Sequence, residues 1–436
     1  MKRVSRILLI LACVGLLSIS WVVALTAETG AEKQAVLIGQ AGALMEDKIY
    51  VNAVPLLIEA AGLGGERAAE AEVLLKQAYI ALIETQSYRR DYVNLLDVQM
   101  QRPDADAAVF EEAALYYMGI SRLQNALTIL KDGIAKTGSD DLAMMYHKNR
   151  YAYAVGRTKY EDVTAIYGGT IQVQVEGAWG LASSEGNLIL PCEYEKISTF
   201  SGDRAVVEKD GEVYAVNRNN LRVAYLHTPI QGFGNLANGR IPLLVEDGWK
   251  RADGGFMLGS VAFEEIGMYA QGYVCAKRDG KWGVVDLTSE WLVQPNYDEI
   301  MTDELGRCYA QGAVFARSGD EVRMIVGGVE LPEAYQEARP FEDGYAAVKR
   351  GGKWGFVDTT GTVVIECQFD DALSFGQHLA AVKIDGLWGY IATSGGVVIE
   401  PAFLCAKSFS AGSAPVLTED GWQFITLLEY RKAVGL

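Results

Sequence analysis

Residues 353–370 read KWGFVDTTGTVVIECQFD, with the largest side chain, Trp354, directly followed by a residue that has none, Gly355. The pair returns in KWGVVD at 281–286 and in LWGYIA at 387–392. The alternation of apolar and polar residues around it predicts extended backbone, in which neighbouring side chains point to opposite faces. Trp354 then fills one face, and the bare Gly355 leaves the other thin enough for a backbone or a ring to come close.

Placed in one column, Trp179, Trp249, Trp282, Trp354, Trp388 and Trp422 form a grid, with Val213 and Val322 completing it. Successive members stand 34, 36, 33, 40, 32, 34 and 34 residues apart, and six of the chain's eight tryptophans lie on this grid, which excludes coincidence. An aromatic follows fifteen residues after the tryptophan at Tyr194, Tyr297, Phe369 and Phe403, and Pro191, Pro295 and Pro401 precede three of these. An aromatic with a glycine close behind, such as Phe341 and Gly344 or Phe409 and Gly412, marks every connector. Tight turns such as Asp385-Gly386 and Ser394-Gly395-Gly396 separate the runs, so each unit reads as three antiparallel strands followed by a short connector.

This pattern resembles the WG-repeat family (also called KWG repeats), whose unit carries the Trp-Gly pair, a glycine turn and a "VI.P.F" segment. The resemblance spans the segment 164–436 and is strongest over 350–417; units two and five lack both Trp and Gly. It implies a β-repeat array and no defined reaction. A single unit cannot bury its apolar face, so stacking supplies the core. Either a propeller-like ring or an open β superhelix of about eight three-stranded units satisfies this, with the six tryptophans as its structural core.

Before the array, residues 28–163 are rich in Ala, Leu and Glu at helical spacing, as in AEAEVLLKQAYIALIETQ and AVFEEAALYYMGISRLQNALTILKDGIAKTG. Phe110, Ala113, Ala114, Tyr117, Ala126, Leu130 and Gly133 resemble the packing positions of a tetratricopeptide repeat, without its characteristic tryptophan. That resemblance implies an all-α, tetratricopeptide-like domain whose concave face binds a peptide or protein; a plain helical stalk is the alternative. Aspartates 104 and 106, and Ser139 with Asp140 and Asp141, read as helix starts.

The chain opens with Lys2, Arg3 and Arg6 before an uncharged run from Ile7 to Ala27. Its length suits one membrane-crossing helix, and the positive-inside rule puts the remaining domains outside. Residues 1–27 are thus expected to be a transmembrane anchor at a bacterial cell membrane, with a cleaved signal peptide and secretion as the alternative.

A formal charge of -17 argues against nucleic acid as a partner. The cysteines at 192, 275, 308, 367 and 405 show no CxxC spacing, so they predict neither a disulfide framework nor a zinc site. His147, His227 and His378 lie in separate stretches and predict no triad or metal ligand set, so no catalytic, cofactor-binding or metal residue is assigned. The acidic insert MTDELGRC at 301–308 interrupts the repeat and is the best candidate for a binding surface, against the plainer reading of a tolerated loop. The expected molecule is a multidomain, non-enzymatic scaffold or protein-binding module at the cell surface. A cell-wall glycan binder using exposed aromatics is the alternative.

Overall fold

The structure, a computed structural model, describes residues 30–225 and 229–430. The chain divides between His147 and Lys148 into two compact units.

The first unit is helical: α1 (30–46), α2 (Tyr50–Gly62), α3 (Ala68–Ala81), α4 (Gln86–Gln101), α5 (Ala107–Gly119), α6 (Leu123–Thr137) and α7 (Asp140–Asn149). Small residues let these helices close on one another. Ala53, Leu57 and Ala60 of α2 are buried, as are Ala71, Leu75 and Ala78 of α3. At Gly133 of α6 an added Cβ would stand 2.8 Å from Phe110 and from Leu142, so only glycine fits there. Asp106 caps α5 by accepting from the Val109 N–H at 3.4 Å, and Ser139 Oγ accepts from the Leu142 N–H at 3.4 Å ahead of α7.

Two expectations are corrected here. The predicted membrane anchor at 1–27 lies outside the described residues, and among the described residues no helix is long and apolar enough to cross a membrane. The helices α2 to α7 run 10 to 16 residues, short of the roughly 20 apolar residues that a bilayer core requires. The tetratricopeptide likeness gains no support either. Phe110, Ala113, Ala114, Tyr117, Ala126, Leu130 and Gly133 are buried, but any amphipathic helical hairpin buries such a stripe.

The second unit is an eight-bladed β-propeller. Blade 1 spans 162–194, blade 2 196–225, blade 3 232–263, blade 4 265–297, blade 5 299–335, blade 6 337–369, blade 7 371–403 and blade 8 405–427. Each is a four-stranded antiparallel sheet, which replaces the expected three-stranded unit. The added strand has two residues and sits inside what the sequence shows as a connector: Asp371–Ala372, for example, pairs only with Lys383 and Val382. Two residues are too few to display a period of two. Blade 8 supplies three strands of its own and takes the fourth from Tyr153–Val155, which pairs with Leu427, Thr426 and Ile425. This borrowed strand, with Asp162–Val163 soon after it, places the unit boundary earlier than the expected residue 163.

Eight apolar clusters occupy the eight gaps between blades. The one between blades 8 and 1 joins Trp422 and Phe424 to Tyr160, Val163 and Ile171, so the array is a closed ring rather than a superhelix.

The fifteen-residue column has a simple cause in the register. Trp179 faces Tyr194, Trp282 faces Tyr297, Trp354 faces Phe369 and Trp388 faces Phe403 across the third and fourth strands. Trp354, Trp388 and Trp422 are buried between blades, while Trp179, Trp249 and Trp282 are half-buried. The glycine that follows Trp179, Trp282, Trp354 and Trp388 makes room within its own blade. A Cβ on Gly355 would meet Ile365 O at 2.5 Å and Cys367 N at 2.7 Å, and one on Gly389 would meet Ile399 O and Pro401 N at the same two distances. The register of the outer strand shifts at these points, between Trp354 and Phe356 and between Trp388 and Tyr390. The outer strand therefore bulges over the bare Cα, as a β-bulge demands.

Candidate functional site

In every blade a connector joins the two-residue first strand to the second. Blades 1, 2, 4, 6, 7 and 8 use six residues for it, and blade 5 uses twelve, 301–312. The acidic insert singled out in the sequence is this doubled connector. Connectors from seven of the eight blades enclose one pocket of about 750 Å³ on the ring axis.

A ladder of hydrogen bonds holds the mouth of this pocket. Gln271, Gln311, Asp343 and Gln377 each occupy a tight turn with φ between 49° and 53°. Each side chain accepts from the backbone of the following blade. Gln271 Oε1 takes the Gln311 N–H at 3.0 Å, Gln311 Oε1 the Gly344 N–H at 3.0 Å, Asp343 Oδ2 the His378 N–H at 2.6 Å and Gln377 Oε1 the Gly412 N–H at 2.5 Å. A second rung runs inside it, from Ser374 Oγ to Pro340 O at 2.6 Å and from Ser408 Oγ to Ser374 O at 3.1 Å. Satisfied partners of this kind fix a connector as firmly as a strand.

The insert crosses the axis on this frame. Asp303 Oδ1 accepts from the Leu305 and Arg307 N–H groups at 3.0 and 2.9 Å, closing the insert on itself. Leu305 is buried in the cluster between blades 3 and 4. Its carbonyl accepts from Asn235 Nδ2 at 3.2 Å, and Gly306 O accepts from the Met268 N–H at 2.8 Å. Glu304 meets Lys407 of blade 8 at 2.8 Å. Arg307 pairs with Asp303 at 2.5 Å, reaches Glu342 of blade 6 at 3.5 Å and lies 6.0 Å from the Tyr167 ring of blade 1. The insert therefore touches blades 1, 3, 4, 6 and 8.

Charge is concentrated on one side of the pocket. Asp303, Glu304, Glu342 and Asp343 line it with Arg307 and Arg339. Arg339 is committed elsewhere, paired with Asp371 at 3.0 Å and stacked 4.7 Å from the Trp354 ring. Glu342 is pushed above the usual carboxylate range, first by desolvation in the concave wall; Arg307 opposes this, while Asp303 and Asp343 add to it. Burial drives the Tyr269 phenol up to about 12.

Asn235 escaped sequence reading. It stands in QGFGNLANG, whose only legible signal was glycine spacing. Its Oδ1 accepts from Gln172 Nε2 and from the Thr199 N–H, both at 3.1 Å, so it ties blades 1, 2 and 3 to the insert of blade 5. The histidines are not brought together: His147 is exposed on α7, His378 is exposed at the ring mouth, and His227 lies outside the described residues. Among the described residues no group of three or more His, Cys, Asp or Glu side chains could hold a metal ion. Tyr430 is the one fully exposed aromatic among the described residues, while Trp179, Trp249, Trp282 and Tyr309 are half-buried. In the helical unit a second, apolar groove of about 650 Å³ runs along Ile80, Ile83, Tyr92, Leu115 and Tyr116.

No curated protein matches the chain in sequence. Among solved structures it is similar to PorZ, described as an essential bacterial surface component of the type-IX secretion system of Porphyromonas gingivalis. The identity is 9% and the TM-score 0.35, over 61% of this chain and 42% of that one. It is similar to Hsv2 of Kluyveromyces lactis at 9% identity and TM-score 0.36, over 59% of this chain and 94% of that one. It is also similar to YCF48, solved bound to D1 peptide, at 13% identity and TM-score 0.35, over 64% and 97% of the two chains. At these values no ligand or activity carries over. The family model of the WG containing repeat matches residues 179–212, 282–304, 332–354 and 354–388. The WG-repeat model thus matches stretches of blades 1, 2, 4, 5, 6 and 7, in four separate segments between residues 179 and 388.

Proposed function

We propose that the propeller is a non-enzymatic binding module whose axial pocket receives a segment of a partner protein. One observation carries this reading. On a frame that repeats eight times, connectors from seven blades meet at one pocket, and the one connector of doubled length, 301–312, lies across it. Repeated positions go into packing, so the departures are free to be selected for recognition. A location beyond the cytoplasm belongs to the same proposal and rests on the basic, then apolar, opening of the sequence.

Photo-crosslinking tests it. A photoreactive side chain replaces the exposed, pocket-lining Thr302 in the full chain, and another replaces the exposed Glu212 on an outer hairpin. Covalent adducts to a protein formed from position 302, and weakened by Glu304→Ala, are expected. Equal labelling from both positions, or none from 302, overturns the assignment.

A further inference from the structure

We infer that Cys275 and Cys308 are a disulfide-forming pair which, in an oxidising medium, joins blade 4 to the insert of blade 5. Both are buried, 2% and 1% exposed, in the cluster between these blades with Val284, Val293 and Val314. The backbone explains their meeting. The Gly267 N–H donates to Cys275 O at 2.9 Å and the Met268 N–H donates to Gly306 O at 2.8 Å, while Met268 and Arg307 form a parallel bridge. Residues 267–268 thus have Cys275 on one side and the end of the insert, with Cys308, on the other. A Cβ on Gly267 would stand 2.5 Å from Cys275 Sγ and 2.6 Å from Gly306 O. The bare glycine is therefore what gives the sulfur a path past its own blade. Both thiols are free in the structure, and Cys275 is the largest single influence on the Cys308 thiol. The remaining described cysteines behave differently. Cys192, Cys367 and Cys405 each direct the thiol to a backbone carbonyl, Val173 O, Val348 O and Ala406 O.

The chemistry balances with a small disulfide such as oxidised glutathione as oxidant. The thiolate of one cysteine attacks the donor's S–S bond and expels one glutathione thiolate, leaving a mixed disulfide. The second cysteine, as thiolate, attacks the protein sulfur of that bond and expels the other. Two protein thiols are oxidised, one donor disulfide is reduced, and the two protons end on the two glutathiones. The neighbouring Cys275 side chain, then burial, holds the Cys308 thiol well above its ordinary pKa, so the folded ring offers little thiolate. The bond belongs to folding, before blades 4 and 5 dock.

Peptide mapping of the full chain decides it. The protein is refolded in mixed oxidised and reduced glutathione, alkylated in denaturant without reduction, and cut with trypsin. Cleavage after Arg251, Lys277, Arg307 and Arg317 puts the two cysteines on separate peptides, 252–277 and 308–317. The expected result is the two peptides joined and released by reductant. The melting temperature should fall by a few degrees when reductant is added, and Cys308→Ser should abolish that difference. Recovery of both peptides alkylated and unlinked, or of either joined to Cys192, Cys367 or Cys405, overturns the pairing. The mapping uses the wild-type chain, so it decides even where the serine variant fails to fold.

Discussion

At Trp354 and Gly355 two adjacent residues do opposite work. The indole packs between blades 6 and 7, against Phe369 and under the Arg339 guanidinium. Trp354→Ala should lower unfolding stability by about 3–5 kcal/mol, read from the urea midpoint. Gly355→Ala removes no contact, yet it drives a methyl into the backbone of the outer strand and should cost about 1–3 kcal/mol. An unchanged midpoint for Gly355→Ala would show that the bulge relaxes freely. The turns carry a second residue-scale device. Asp358 Oδ1 accepts from the Thr360 hydroxyl at 2.6 Å and from the Thr360 and Thr362 N–H groups at 2.8 and 3.0 Å, and Asp286 repeats the arrangement with Thr288 and Glu290. Both carboxyls are held below their usual range, chiefly by the threonine hydroxyl. A carboxylate with a depressed folded pKa stabilises above its unfolded value, about 3.9, and that stability is lost as pH falls through the folded value. Stability should therefore decline below about pH 4, by a modest amount because these turns are open to water, and Asp358→Ala should flatten the decline in acid titrations followed by circular dichroism.

Among elements, the strands that span six or seven residues were legible and the two-residue strands were not. The run LWGYIA declares itself through alternation and its neighbouring turns, and the fifteen-residue echo of the tryptophan is its cross-strand partner. Asp371–Ala372 and its equivalents leave no such trace, because a single pair of residues carries no period. Tyr153–Val155 was hidden for another reason. It lies beside the helical segment in sequence and pairs with the far end of the chain. The Gly156 N–H donates to Phe424 O at 2.7 Å and the Leu428 N–H to Ala152 O at 2.8 Å, so Ala154 falls at the hydrogen-bonded position between them. Ala154→Pro removes that donor from the strand that completes blade 8. The expected loss is about 1–3 kcal/mol, with faster hydrogen exchange confined at first to blade 8. Exchange that accelerates equally in all blades would mean that closure is not a local event.

For the whole ring, the repeat marked where the site would fall but not its shape. The step of 40 residues marks the insert at 301–308 in the sequence alone. The convergence of Tyr167, Asn235, Arg307, Glu342 and Lys407 stayed out of reach, because it depends on closure bringing blades 1, 3, 5, 6 and 8 to one axis. Buried phenols distributed around the ring make its integrity sensitive to alkali. Burial raises Tyr160, Tyr194 and Tyr269 to about 12. A raised folded pKa stabilises fully below the unfolded value, about 10, and that contribution is lost as pH climbs toward the folded value. Unfolding and tyrosinate absorbance should rise together between about pH 10 and about pH 12; tyrosinate forming in a ring that stays folded would contradict it.

The borrowed strand of blade 8 also dictates a timetable. A ribosome makes Tyr153–Val155 ahead of all eight blades and delivers the partner at Ile425–Leu427 only after the rest of blade 8. Throughout that interval the nascent array keeps one raw strand edge at its leading end and another on each newest sheet, and such edges invite pairing with foreign chains. Premature termination anywhere before Leu427 would leave both edges permanently open, so nonsense products should be insoluble and should engage chaperones even when nearly every repeat is intact.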